Sequence, residues 1–151
     1  QLVKIGDNVF IGDNSNISGN VEITIGNSVM FGPEVMIRGG DHNFFIVGTH
    51  MRFVKSGGVN LPIKIDDDVW IGARAIILKG VTIGEGSVVG AGSIVTKNIL
   101  PYTINVGSPS KPVRCRFSKS DLRKHLELVA SNYTFEEIQN MYYQKNIKFN
   151  E

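Results

Sequence analysis

The sequence has one cysteine, no long apolar run and little imbalance of charge. A lone thiol at Cys115 cannot form a disulfide within the chain and fits a reducing compartment. No apolar stretch approaches membrane-spanning length, and no signal peptide is visible. The net charge of +2 comes from scattered residues without a basic tract, which argues against nucleic-acid binding. These absences predict a cytoplasmic protein with no membrane-inserted part, although the chain starts inside a repeat at Gln1, so upstream residues are expected.

Several kinds of catalytic site are missing as well. The sequence contains no P-loop, no G-x-S-x-G nucleophile motif and no cluster of metal ligands. It has only three histidines, His42, His50 and His125, and they are spread along the chain. We therefore expect no bound metal. His125 is predicted to lie on the solvated face of a helix.

The sequence is dominated by a six-residue repeat, which we call the hexad rhythm. Between Ile63 and Val95 an aliphatic residue returns at every sixth position, and a small or branched residue follows each of them by four positions. Neither helical spacing nor strand alternation keeps such a period. Residues 5–17 carry the same beat, which slips by two residues near 23–24 and then resumes from 25 to 37.

The rhythm predicts an all-β solenoid. Branched residues favour short strands, and Gly, Asn and Asp favour the turns between them. Three short strands and three turns close one triangular rung, and rungs stack at the ordinary strand spacing of about 4.8 Å. The aliphatic side chains then point inward and form one continuous core, as in a parallel β-helix.

Two segments depart from the rhythm. Residues 43–62 form a long apolar insert, which we expect to protrude as a loop and to pack on a neighbouring subunit. Residues 104–114 are predicted to be extended. After them, Ser118 or Ser120 and then Thr134 are expected to cap two helices, whose apolar stripes cover the last rung. The predicted division is a β-helix domain at 1–117, with the loop inserted, and a C-terminal helical extension at 118–151.

Several motifs resemble the hexapeptide-repeat acetyltransferase family. They are Thr24-Ile-Gly26, His42, Val69-Trp-Ile-Gly72 and the string GAGSIVTK at 90–97. The resemblance is nearest to the maltose and galactoside, xenobiotic and polysaccharide O-acetyltransferase branches. It implies a left-handed parallel β-helix, acetyl-CoA as donor and a homotrimer with sites between subunits.

The resemblance also assigns residues near the acceptor. It places the general base on His42, with His50 as second choice. Imidazole has an ordinary pKa of about 6.5, so it is mostly unprotonated yet basic at neutral pH. Asp41 and Asn16 are the predicted substrate-binding residues: Asp41, next to His42, is also a candidate to orient it, and Asn16 matches an acceptor-binding asparagine.

Further residues match the donor site of the family. Coenzyme A needs an approachable backbone for its pantetheine arm and cations or hydroxyls for its phosphates. The matching positions are Trp70, Gly72, Ala73, Gly90, Ala91, Thr96, Lys97, Lys111 and Arg114.

These expectations lead to a sugar O-acetyltransferase of polysaccharide biosynthesis that uses acetyl-CoA by direct transfer. The alternatives are a xenobiotic acetyltransferase of the chloramphenicol or streptogramin type and an N-acetyltransferase of a nucleotide-linked amino sugar. A trimeric scaffold without catalysis is the remaining possibility. The sequence does not name the acceptor.

Overall fold

The computed structural model describes residues 2–55 and 57–150, and short strands make up most of them. The strands are β1 (Val3–Ile5), β2 (Phe10–Ile11), β3 (Asn16–Gly19), β4 (Ile23–Ile25), β5 (Met30–Phe31), β6 (Met36–Gly39), β7 (Ile63–Ile65), β8 (Trp70–Ile71), β9 (Ile76–Leu78), β10 (Thr82–Ile83), β11 (Val88–Val89), β12 (Ile94–Val95), β13 (Thr103–Val106) and β14 (Lys111–Cys115). Two helices follow, α1 (Lys119–Leu128) and α2 (Phe135–Gln144), and a short 3-10 turn spans Met51–Phe53.

From β1 to β12 the strands return in rotation to three sheets, and β13 and β14 then both join sheet 2. Sheet 1 has the order β1-β4-β7-β10, sheet 2 the order β2-β5-β8-β11-β13-β14, and sheet 3 the order β3-β6-β9-β12. Neighbouring strands are parallel except in the β13–β14 pair. Three consecutive strands form one rung, so β1–β3, β4–β6, β7–β9 and β10–β12 are rungs 1 to 4. The predicted parallel solenoid is confirmed in this arrangement.

The repeated aliphatic residues form the core of the column. From rung 2 upward they are buried, as at Ile37, Ile77 and Val95 in sheet 3. In rung 1, however, Ile5 is 50% exposed and Ile11 is 41% exposed. Each inner side chain needs a rung on both sides to lose its solvent contact, and rung 1 is covered from one side only among the described residues.

The turns favour Gly, Asn and Asp, although Ser28, Glu34 and Arg74 also occupy them with positive φ. A left-handed backbone recurs once per hexad, for example at Asn8, Asn14, Asp68, Gly86 and Gly92. Glycine has no Cβ to clash in this conformation, and Asn and Asp adopt it more readily than other residues. The expected turn chemistry is thus present at each of these corners.

The segment before the helices differs from the sequence expectation. The predicted extended segment 104–114 is interrupted by a turn at 107–110, and β13 and β14 pair with each other as an antiparallel hairpin on sheet 2. Ser118 caps α1 and Thr134 forms a capping box with Glu137 at α2. The buried faces of both helices share a cluster with Tyr102 and Cys115.

The sequence predicted that His125 lies on a solvated helix face, but in the structure it is partly buried. Its ring lies 4.7 Å from the Phe117 ring and 5.6 Å from the Tyr102 ring, between centroids. Burial and the nearby Arg116 charge lower the pKa of His125.

The loop between β6 and β7 carries several exposed apolar side chains. The most exposed of them are Phe44, Phe45, Val47, Met51 and Phe53. Its packing against a neighbouring subunit remains a prediction. Within residues 2–55 and 57–150, no helix is both long and apolar enough to cross a membrane.

Candidate functional site

The corner between sheet 3 and sheet 1 collects the polar residues of interest. In rung 2 the chain leaves this corner at Gly39 and reaches His42 three residues later. The strand register pairs Ile37 with Ile77 and Ile77 with Val95. Continued by two residues, this register sets Lys79 and Lys97 at equivalent positions on rungs 3 and 4. Gly39 and Lys97 therefore belong to one edge of the column, two rungs or about 10 Å apart, and His42 follows Gly39 by three residues.

Asp41 and Lys79 form a clamp at this corner. The Lys79 ammonium donates to Asp41 Oδ2, and Asp41 Oδ1 accepts from the backbone N–H of His42 at 2.8 Å. The two side chains are only 24% and 27% exposed. The hydrogen bond from Lys79 is the main reason that the pKa of Asp41 lies below its ordinary value. Asp41 thus fixes the backbone of His42, and both of its oxygens already have donors.

The clamp also joins the two ends of the 43–62 loop. The same Lys79 ammonium donates to the backbone oxygen of Val59 at 2.7 Å. Gly58 packs so closely that an added Cβ would stand 2.6 Å from Asp41 Cγ. Sequence reasoning missed Lys79, although its alignment with Lys97 in the hexad register was visible.

The predicted acceptor-side residues lie on the surface of the chain. His42 and His50 are exposed, and the His50 ring faces the Phe53 ring with centroids 6.3 Å apart. Asn16 is an exposed residue of β3, on rung 1 of sheet 3. One copy of the chain therefore leaves the imidazole of His42 open to solvent.

A cavity of about 700 Å³ lies above rung 4 at the same corner. It contains three of the predicted donor residues, Thr96, Lys97 and Lys111. The full lining is Thr96, Lys97, Asn98, Ile99, Leu100, Thr103, Asn105, Pro109, Ser110, Lys111, Pro112, Lys145 and Ile147. Three lysines and no carboxylate residue line this space. Such a lining favours an anionic ligand.

Polar groups also line the interior of this cavity. Thr103 and Asn105 are buried, and Asn105 Nδ2 donates to Thr103 Oγ1 at 2.8 Å. The Ser110 hydroxyl is buried without a hydrogen-bond partner in the described structure. A buried hydroxyl without a partner is costly, so it marks a place for a ligand atom or a water.

The remaining predicted donor residues lie elsewhere on the column. Gly72, Ala73, Gly90 and Ala91 are at the corner between sheets 2 and 3. An added Cβ on Gly72 would meet the Ala91 nitrogen at 2.5 Å, so stacking of rungs explains that glycine. Arg114 is on β14 and does not line the cavity.

Trp70 lies on the outer face of sheet 2, half exposed. Its strand register continues to Met30 and Phe10 on the rungs below. These three side chains are 51%, 49% and 64% exposed, in the order Trp70, Met30, Phe10. We call them the sheet 2 stripe. The predicted donor site is therefore divided among two corners and one face of a single chain.

The sequence is similar to a known repeat family and to known acetyltransferases. The family described as the hexapeptide repeat of succinyl-transferase matches residues 2–32 and 62–97. A Schizosaccharomyces pombe protein named as an acetyltransferase is 46% identical over 114 residues, which cover 74% of this chain and 52% of that protein. The galactoside O-acetyltransferase of Escherichia coli is 38% identical over 113 residues, which cover 74% of this chain and 53% of that enzyme.

A solved structure gives the same result. The hexapeptide-repeat acetyltransferase of Vibrio cholerae in complex with acetyl coenzyme A superposes with a TM-score of 0.68 at 36% identity, covering 76% of this chain and 61% of that one. The chain belongs to the hexapeptide-repeat acetyltransferase family, which implies a left-handed β-helix. It spans about half the length of the curated relatives it matches.

In the part of the chain that the structure describes, no three His, Cys, Asp or Glu side chains are grouped in a way that could hold a metal ion.

Proposed function

We propose that this protein transfers the acetyl group of acetyl-CoA to a sugar hydroxyl, in a unit of surface polysaccharide or its precursor. The observation that carries the proposal is the cavity with Thr96, Lys97 and Lys111, which combines cations, hydroxyls and no carboxylate residue. Coenzyme A carries its negative charge on phosphates, which ammonium groups bind well. The acetyl-CoA complex of the Vibrio cholerae protein supports this choice of donor.

His42 is the proposed general base. The acceptor hydroxyl oxygen attacks the thioester carbonyl carbon while the imidazole takes the hydroxyl proton. The carbon–sulfur bond then breaks, and the coenzyme leaves as a thiolate that takes the proton back from the His42 imidazolium. The Asp41 clamp holds the backbone N–H of His42, so the residue that carries the ring is anchored at the edge of the column.

The complete site is proposed to form between copies in a homotrimer. In one chain, Gly72, Ala73, Gly90 and Ala91 occupy a different corner from His42, Thr96 and Lys97. A neighbouring copy that packs its corner against this one would bring both sets to the same groove. The free thiol of Cys115 is consistent with our proposal of a cytoplasmic location.

The acceptor class is tested by turnover. We would measure coenzyme A release from acetyl-CoA with a panel of sugars, chloramphenicol and streptogramin drugs, and nucleotide-linked amino sugars. Transfer to a sugar hydroxyl is the expected result. Faster transfer to a drug or to an amino group would show that the acceptor is not a sugar hydroxyl. Failure to bind acetyl-CoA in calorimetry would favour the non-catalytic trimeric scaffold.

The base is tested by His42→Ala. Loss of a general base lowers kcat by about 10²- to 10⁴-fold. The Kd for acetyl-CoA should stay the same, because His42 lies outside the cavity. His50→Ala is measured in parallel, and the base assignment moves to His50 if only that variant loses turnover. Parental turnover in His42→Ala would refute the mechanism.

A further inference from the structure

Lys145 brings a third cation to the cavity from outside the repeats. It follows the last residue of α2, whereas Lys97 follows β12 and Lys111 begins β14. All three residues line the same space. Nothing in the hexad pattern or the family motifs pointed to Lys145. Its place in the cavity results from how the C-terminal segment packs.

The packing holds the backbone of Lys145 in place. The N–H groups of Lys145 and Ile147 both donate to the Tyr142 carbonyl, at 3.1 and 2.9 Å. Tyr142 is buried, and its hydroxyl donates to the Pro101 carbonyl at 2.7 Å. The end of α2 is therefore fixed beside the segment 96–100, which lines the cavity.

The charge of Lys145 is available to a ligand. The ion pairs in the described part of the chain involve Lys4, Lys64, Arg74, Lys79, Arg116 and Arg123. None of them includes Lys97, Lys111 or Lys145. Three ammonium groups around one space repel each other unless an anion lies between them. A cavity of about 700 Å³ also falls within the range of about 300–1,000 Å³ that is usual for small-ligand sites.

We propose that Lys145 binds a phosphate of the donor, so that the C-terminal segment completes the phosphate subsite. This inference rests on the proposed function, because it takes coenzyme A as the ligand. The relevant chemistry is the adenosine 3′,5′-bisphosphate end of the coenzyme, where the phosphates are concentrated. Ser110 belongs to the same lining.

The test is calorimetric binding of 3′,5′-ADP and of pantetheine to the full chain. Lys145→Met should raise the Kd for 3′,5′-ADP about fivefold to tenfold, the size expected for one ammonium–phosphate contact at a partly screened site. Lys145→Arg should stay within about twofold, because guanidinium also binds phosphate. Pantetheine carries no phosphate, so its binding should not change. The difference between parent and Lys145→Met should shrink at high salt.

Lys148→Met is the matched control, since Lys148 lies in the same segment but does not line the cavity. Its Kd should stay at the parental value. If Lys148→Met weakens binding as much as Lys145→Met, only overall charge matters and the proposal is overturned. Unchanged 3′,5′-ADP binding in Lys145→Met, with acetyl-CoA still bound by the parent, rejects Lys145 but leaves the proposed function. A parent that binds neither 3′,5′-ADP nor acetyl-CoA rejects both the role of Lys145 and the proposed function.

Discussion

At the scale of single residues, the Asp41–Lys79 pair controls the backbone from which His42 projects. Lys79 contacts residues on both sides of the 43–62 loop, Asp41 before it and Val59 near its end. Lys97 occupies the equivalent position on the next rung and forms no ion pair in the described structure. One lysine of this edge is thus used to hold the loop, and the other remains for a ligand.

The pKa of Asp41 gives a direct test of the clamp. In Lys79→Met this pKa should rise toward its ordinary value of 3.8, because the main cause of its depression is removed. A depressed folded-state pKa contributes stability above the ordinary pKa, and this contribution is lost as pH falls through the folded value. The carboxyl carbon of Asp41 in an NMR titration reports the shift.

Arg74→Met is the control for this titration. Arg74 lowers the pKa of Glu34 on the same column, so the variant should shift Glu34 and leave Asp41 unchanged. An Asp41 titration that is identical in the parent and in Lys79→Met would contradict the clamp.

At the scale of elements, Glu85 links the solenoid to the segment between α1 and α2. Glu85 is 4% exposed and accepts hydrogen bonds from the Tyr102 hydroxyl and the Ser131 hydroxyl, both at 2.6 Å. Asn132 donates its backbone N–H at 3.2 Å and its side-chain amide at 3.0 Å. Burial raises the pKa of Tyr102, so the hydroxyl stays a donor. The polar network therefore fixes how the helical extension meets rung 4.

Glu85→Ala should destabilise the protein strongly. It leaves several buried donors without an acceptor, at a cost of about 3 kcal/mol in the free energy of unfolding. Urea denaturation measures the change. Glu127→Ala, on the exposed side of α1, should stay within about 0.5 kcal/mol of the parent, as expected for an exposed site. Equal stability of the two variants would show that the network does not join the elements.

At the scale of the whole molecule, the sheet 2 stripe and the apolar 43–62 loop leave hydrophobic side chains exposed at two places on one copy. Phe10, Met30 and Trp70 stack along three rungs, each about half exposed or more. Contiguous exposed apolar surface of this kind usually marks an interaction site. The proposed trimer would bury such surface between copies.

Trp70 is the only tryptophan, so its fluorescence reports on the stripe. If copies assemble through it, the emission should shift to the red on dilution, as the indole becomes exposed to water. Met30→Lys should give a monomer in sedimentation equilibrium, with red-shifted emission at every concentration. Val129→Lys makes the same kind of change at an exposed residue of the C-terminal segment and should still assemble. A parent that sediments as a monomer would refute assembly through this face.

The sequence by itself determined the column and its corners. A residue such as Ile77 or Val95 at each sixth position can be buried only if the chain turns at that period. Thr134 and Glu137 likewise specify the start of α2 through contacts within one helical turn. These features depend on neighbours in the sequence, so pattern and local chemistry suffice to predict them.

The tertiary structure alone decided which residues meet. Asp41 and Lys79 are separated by the 43–62 loop, and Lys145 reaches the cavity of Lys97 only because Tyr142 anchors α2 at Pro101. The hexad pattern does not predict such contacts, because they depend on the path of an irregular loop and on the docking of a helix. The same packing placed His125 among aromatic rings. Periodicity sets the spacing of rungs, whereas the packing of the non-repetitive segments sets the chemistry at their edges.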